Sequence, residues 1–150
     1  LRTRADVAAL REALADGTID CVATDHAPHP VEDKETEWAA AAMGMIGLET
    51  ALSVVQEAMV ETGLLDWAGV AERMSYAPAR IGRVQDHGRP IEVGAVANIT
   101  LYDAAVRAEV DPAGYASKSR NTPYEGRTLP GRVVATFLRG RPTVLDGKLA

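Results

Sequence analysis

Cysteine is almost absent from this sequence. Cys21 is the one thiol among 150 residues, which excludes an internal disulfide and leaves no partner at zinc-cluster spacing; it fits a reducing compartment. No stretch of about 18 uninterrupted apolar residues occurs, the length that a membrane-spanning helix needs. No charged-then-apolar leader opens the chain, so the expectation is a cytoplasmic protein with no membrane attachment. Positive charge is also short: 16 Lys and Arg against 21 Asp and Glu give a net charge of −5. That argues against a primary nucleic-acid binder, since neutralising phosphates takes clustered cations. There is no internal repeat, no low-complexity tract, and neither an H-x-H nor an H-E-x-x-H motif. An initiator Met is missing as well. The chain opens at Leu1 directly into a helical pattern, and we expect a piece of a longer polypeptide.

What is present is an ordinary globular composition, 47% hydrophobic and 25% charged. Val7, Leu10 and Leu14 have the spacing of an amphipathic helix over residues 4–16, with Thr3 as its N-cap, Asp6 completing a capping box and Gly17 as its stop. Ile19 to Thr24 then reads as a short buried strand, the β that follows an α in a parallel unit. Pro30 to Glu37 reads as a solvated loop. Leu48, Leu52, Val55 and Met59 mark one face of a helix closed by Gly63, and Asp66 caps another with Trp67, Val70, Ala71 and Met74 inward. Ala77 to Gly82 reads as a turn and a short helical piece. From about residue 88 the periodicity shifts toward two. Strands are expected over Asn98–Tyr102, Val106–Val110 and Arg132–Arg139, then a hairpin through Gly140-Arg141 to Thr143–Leu145 and a turn at Asp146-Gly147. The loop from Asp111 to Pro130 is long enough to suggest function.

The chemistry concentrates in Thr24-Asp25-His26-Ala27-Pro28-His29. A carboxylate at the C-terminal end of a parallel strand sits where α/β barrels place reacting groups. Asp25 there can bind a divalent metal or act as a general base, and it can equally cap a turn. His29 can bind a metal or a substrate carboxylate, while His26 suits a supporting role beside Asp25 or a plain backbone bond. Two histidines and one aspartate do not close a catalytic metal site. Gly44 and Gly47 permit close approach of a ligand to the backbone, Met45 lies between them, and Asn121 either reaches the site or makes an Asx turn. His87 reads as surface and Cys21 as a small buried hydrophobe.

Taken together, Ile19 to His29 resembles the last barrel strand of dihydroorotases in the amidohydrolase superfamily. Lys34 with Glu37-Trp38, Gly44 to Thr50, Ala77 to Arg80, Gly94 to Asp103, Ser117 to Gly126 and Gly131 to Gly140 follow in the family's order. The resemblance implies an α/β fold. Residues 1–87 would be the last strand and helices of a (β/α)8 TIM-type metal-dependent hydrolase barrel, and 88–150 the C-terminal part of a small β-sandwich domain, both incomplete in this chain. It implies reversible cyclisation of N-carbamoyl-L-aspartate to L-dihydroorotate in pyrimidine synthesis, with zinc as cofactor and most zinc ligands upstream of Leu1. Asp25 would be catalytic and a metal ligand. His29, Gly44, Met45, Gly47 and Asn121 would bind substrate, with His26 in support. Implied partners are the N-terminal barrel of the same protein, a second copy in a homodimer, and an aspartate transcarbamoylase. The latter would apply above all to a non-catalytic dihydroorotase-like subunit, the rival reading from another class. Allantoinases and dihydropyrimidinases share much of the pattern, but the Arg120 to Pro123 ending and a carboxylate-binding His29 are closer to dihydroorotases. Ala77 and Asn98 depart from a frequent Asn and Asp of the family.

Overall fold

The computed structural model describes residues 3–150; Leu1 and Arg2 lie outside the described residues. Helix α1 (Arg4–Asp16) begins as its sequence dictates. The Thr3 hydroxyl accepts from the Asp6 N–H at 3.1 Å, and the Asp6 carboxylate accepts from the Thr3 N–H at 2.9 Å. It stops at Gly17 in the left-handed conformation. No basic residue lies in its last turn. The Arg73 guanidinium packs against Gly17 instead and brings positive charge to the negative end of the helix dipole.

Ile19 to Thr24 corrects one expectation: the segment is extended but belongs to no strand. A strand exists through its ladder, and no parallel neighbour stands beside this segment among the described residues. It is tied by single bonds instead, the Ile19 N–H donating to the Ala13 carbonyl at 2.9 Å and the Val22 N–H to the Arg73 carbonyl at 3.0 Å, followed by a lone parallel bridge between His26 and Met45. The segment is consequently half-buried rather than buried, Cys21 included.

The loop expected after His29 contains a single helical turn, α2 (Val31–Lys34), started by Pro30 at its N-cap. Helix α3 (Ala51–Val55) begins later than its apolar face suggested, so Leu48 stays 62% exposed in the preceding turn. It runs on as a π-helical segment, Gln56–Val60. Helix α4 (Trp67–Ala71) is capped as expected, with the Asp66 carboxylate accepting from the Gly69 N–H at 2.7 Å. It continues through a second π-helical segment, Glu72–Tyr76, into α5 (Ala77–Ile81). The sequence reads there as a turn and a short helical piece, whereas the structure has a continuous helix through Pro78. A proline ring collides with the carbonyl four residues back and offers no N–H. The wider π turn just before it, closed by Ala77 N–H to the Glu72 carbonyl, lets the helix pass through. Val55, Met59 and Val70 form the buried centre, with Leu14, Val22, Leu52, Leu65 and Met74 packed around it. Trp67, expected inward, is 41% exposed and leans on Tyr102.

The rest is one antiparallel meander in the order β1-β2-β3-β4: β1 (Ile99–Glu109), β2 (Thr128–Leu138), β3 (Arg141–Leu145) and β4 (Lys148–Leu149). The two strands expected at 98–110 are one strand interrupted by an irregularity between Asp103 and Arg107, where the Asp103 carboxylate accepts the Ala105 N–H at 3.0 Å. Arg139-Gly140 and Asp146-Gly147 make the two-residue hairpin turns, with positive φ at both positions. The described residues form a single layer of sheet, not a sandwich.

The inner face of the sheet packs on α3 and its π-helical extension. Buried Gln56 joins them, donating to the Ala104 carbonyl freed by the irregularity (3.0 Å) and accepting from the Tyr102 hydroxyl (2.8 Å). Burial pushes the Tyr102 phenol above its ordinary pKa. A Cβ on Gly131, whose φ is +72°, would overlap the Tyr102 hydroxyl and press on Gln56 Oε1 at 2.6 Å. Arg107 to Glu61 (2.8 Å) and Arg127 to Glu57 (2.9 Å) flank this junction at the surface.

Candidate active site

Asp25 is the first residue past the extended segment and takes φ +46°. Short polar side chains such as Asp enter this left-handed region most readily, and such strain gathers where function needs a side chain re-aimed. Its carboxylate is exposed and makes no hydrogen bond or ion pair among the described residues.

His26 turns the other way. Its Nδ1 accepts the Gly47 N–H at 3.1 Å, which puts the ring proton of the neutral imidazole on Nε2. The next residue, Ala27, donates its N–H to the Met45 carbonyl at 2.9 Å. Two loops are thereby zipped together, and glycine makes the fit possible. A Cβ at Gly44, where φ is +112°, would stand 2.6 Å from the Ala27 Cβ, and one at Gly47 would stand 3.3 Å from the Thr24 carbonyl oxygen. The close backbone approach that the two glycines allow is therefore toward the chain itself, and the Gly47 N–H is already committed. His29 sits above this seam, with its Nε2 3.6 Å from where a Gly44 Cβ would project.

A third segment locks the first two. The Asn121 carboxamide donates to the Ala27 carbonyl at 3.0 Å and to the Gly44 carbonyl at 3.2 Å, and the Asn121 main-chain carbonyl accepts the Ile46 N–H at 3.1 Å. Buried Ser119 accepts the His29 N–H at 3.2 Å, and its hydroxyl lies within reach of both the His29 carbonyl (2.6 Å) and Asn121 Oδ1. Lys34, read from sequence as part of a solvated acidic loop, donates to the Ala42 and Gly44 carbonyls at 2.7 and 3.0 Å. Nothing local marks Ser119 or Lys34 for these roles, because the groups they meet lie on other segments. The structure thus brings Asp25, His26, His29, Gly44, Met45, Gly47 and Asn121 into one cluster of loops.

His87 stays apart, exposed beside an open cleft of about 380 Å³ that Tyr76, Arg80 and Arg83 also line. Beneath the loop cluster is a smaller, mostly apolar cavity of about 140 Å³ bordered by Val22, Thr24, Met45, Val55 and Tyr124. Among the described residues no group of three or more His, Cys, Asp and Glu side chains comes together to hold a metal ion. The free Asp25 carboxylate is one potential ligand. By themselves the described residues do not fit a metal.

Comparison with known proteins bears on the whole of this arrangement. A dihydroorotase of Streptomyces coelicolor is 74% identical over 149 residues, covering 99% of this chain and 35% of that protein. One of Mycobacterium tuberculosis is 55% identical over 149 residues, again 99% of this chain and 35% of the relative. The chain therefore spans about a third of the length of the curated relatives it matches. Among solved structures, an L-hydantoinase (dihydropyrimidinase) from Arthrobacter aurescens superposes with a TM-score of 0.84 at 32% identity, over 94% of this chain and 32% of that one. A D-hydantoinase from a Bacillus species shares the fold at a TM-score of 0.89 and 24% identity, over all of this chain and 34% of that one. The model of the amidohydrolase family matches residues 1–143. With its helices, its loop cluster and the long strands β1 and β2 inside that match, the chain belongs to the amidohydrolase family.

Proposed function

We propose that the full-length protein is a dihydroorotase, interconverting N-carbamoyl-L-aspartate and L-dihydroorotate with the gain or loss of water, as a step toward pyrimidine nucleotides. The observation that carries the reading is a free, left-handed Asp25 carboxylate on the same short loop as a His29 imidazole standing over Gly44, in a chain so similar to dihydroorotases. An acidic substrate needs both a proton carrier and a cationic or hydrogen-bonding grip, and this loop offers one of each.

In ring closure, Asp25 takes a proton from the attacking ureido nitrogen as the new C–N bond forms and returns it to an oxygen of the reacting carboxyl group, which with a second proton from solvent leaves as water. In ring opening it takes a proton from water and delivers it to the departing nitrogen. His29 holds the substrate carboxylate that does not react. The backbone around Gly44 and Met45 faces the ring, and Asn121 supports that backbone. Zinc, when bound, would supply Lewis acidity. Among the described residues Asp25 would be the ligand offered to it, and the remaining ligands are assigned to the part of the full-length protein outside these residues.

The same reading assigns residues 1–87 to the end of a (β/α)8 barrel and 88–150 to a small β domain completed by other strands. A homodimer in the cytoplasm follows from it as well. An exposed carboxylate and a histidine free of ion pairs favour an enzyme over a non-catalytic subunit supporting an aspartate transcarbamoylase, since a scaffold has no use for either. A carboxylate-gripping His29 suits an acidic substrate better than neutral allantoin, which weighs against an allantoinase-type reading. Asp25→Asn in the full-length protein tests the proposal. Turnover should fall by about 10³-fold or more in both directions with the thermal midpoint unchanged; wild-type turnover would overturn it. His29→Ala should raise KM for the acidic substrate far more than it lowers kcat.

A further inference from the structure

His29 lies between Pro28 and Pro30. Neither proline carries an N–H, so the His29 amide is the only main-chain donor in that tripeptide, and it is spent on Ser119 Oγ, 90 residues away. The His29 carbonyl turns to the same hydroxyl. One side chain thus meets both polar groups of the His29 main chain. Asn121 does the corresponding work next door, joining the Ala27 and Gly44 carbonyls through the two protons of one amide nitrogen. The reverse orientation of that carboxamide would set its oxygen against two carbonyl oxygens, so the chemistry fixes which way it points. Ser119 and Asn121 also meet each other, making a single unit. Neither touches Asp25.

We propose that Ser119 and Asn121 are positioning residues: a side-chain clamp that fixes the main chain beneath His29 and Gly44 and so sets substrate affinity without itself contacting substrate. The inference rests on the reading of His29 as the carboxylate grip. The clamp holds the binding end of the site and leaves the proton-carrying end alone. Loosening it should therefore weaken binding while the chemical step keeps its rate. Asn121, expected from sequence to bind substrate directly, acts instead through Ala27 and Gly44, because its donors are already taken.

The test uses the full-length enzyme and steady-state kinetics in both directions. Ser119→Ala should raise KM by about tenfold with kcat within about threefold, the size expected for losing one well-placed hydrogen bond. Ser119→Thr keeps the hydroxyl and should restore KM to near the wild-type value. In a His29→Ala background, Ser119→Ala should add less than about twofold, since two residues acting through one contact do not add. Asn121→Asp keeps the shape but removes both donors; it should repeat the rise in KM, and it serves as the reading if Ser119→Ala does not fold. An unchanged KM in the clamp variants, a loss confined to kcat, or an equal rise with and without His29 would each overturn the clamp. A silent His29→Ala would instead sink the grip assignment, and a rise in KM on Ser119→Ala beside it would overturn the route through His29. Absence of turnover in the wild-type protein would count against the proposed activity itself.

Discussion

Strands β1 and β2 run beside each other through main-chain bonds that almost any sequence can make, whereas the segments around Asp25 and Gly44 share one lone bridge. The latter are joined chiefly by the side chains of His26, Lys34, Ser119 and Asn121. In the sheet a substitution on an exposed face leaves the ladder intact. In the loop cluster each brace is a specific functional group, and removing it takes a hydrogen bond from at least one main-chain carbonyl or N–H. The sheet tolerates; the site does not. That difference suits a molecule whose scaffold needs shape and whose proposed reacting loop needs fixed position within about half an ångström.

The largest effect should come where the sheet meets the helices. Gly131→Ala forces a methyl group into the Tyr102 hydroxyl at a backbone angle that disfavours it. It should destabilise the full-length protein by about 3 kcal/mol, read as a drop in denaturation midpoint. A neutral outcome would mean that the Gln56–Tyr102 junction is not what couples sheet to helices. Gly44→Ala comes next. With φ at +112° and Ala27 in the way, it should cost about 2 kcal/mol of stability and raise KM as the seam beneath His29 opens. Lys34→Met removes a charged donor from two carbonyls while keeping the stem; it should raise KM several-fold, by about 1 kcal/mol of lost binding, with little change in midpoint. Smallest is Arg107→Met at the half-exposed ion pair with Glu61. It should change stability by less than about 1 kcal/mol and leave kinetics untouched. A large loss there would blur the contrast, since it would make the sheet depend on side-chain braces too.

Features with local causes were legible in the amino-acid order. Thr3 and Asp6 start α1, Gly17 stops it, Asp66 starts α4, and Asp146-Gly147 turns the last hairpin, all through neighbours within a few residues. Asp25, His26 and His29 stood out because three polar groups on one short loop rarely serve packing. Features that depend on distant partners were not legible. Ile19 to Thr24 has the composition of a strand, but the described residues offer it no neighbour to pair with. Ala77 to Gly82 reads as a turn and a short helical piece until the π turn before it is seen to carry the helix through Pro78. Asn98–Tyr102 and Val106–Val110 read as two strands because the irregularity between them is healed by Gln56, from another element. Ser119 and Asn121 were the hardest to read. Their partners lie about 90 residues back, and a Ser or Asn before a Thr-Pro pair has an ordinary local explanation.

The span of that brace has a consequence for biosynthesis. Because His29 and Ala27 are held by residues 90 and 94 positions later, the loop that carries the proposed site leaves the ribosome long before its restraints exist. At roughly 5–20 residues per second, the delay is on the order of ten seconds, during which the loop is exposed and its paired prolines are free to isomerise. Maturation of the site is thus a late event, gated by arrival of Ser119 and Asn121 rather than by formation of the helices around it. A nick or frameshift in the loop between β1 and β2 would leave α1 through α5 intact in sequence and still deliver a protein whose reacting loop never sets.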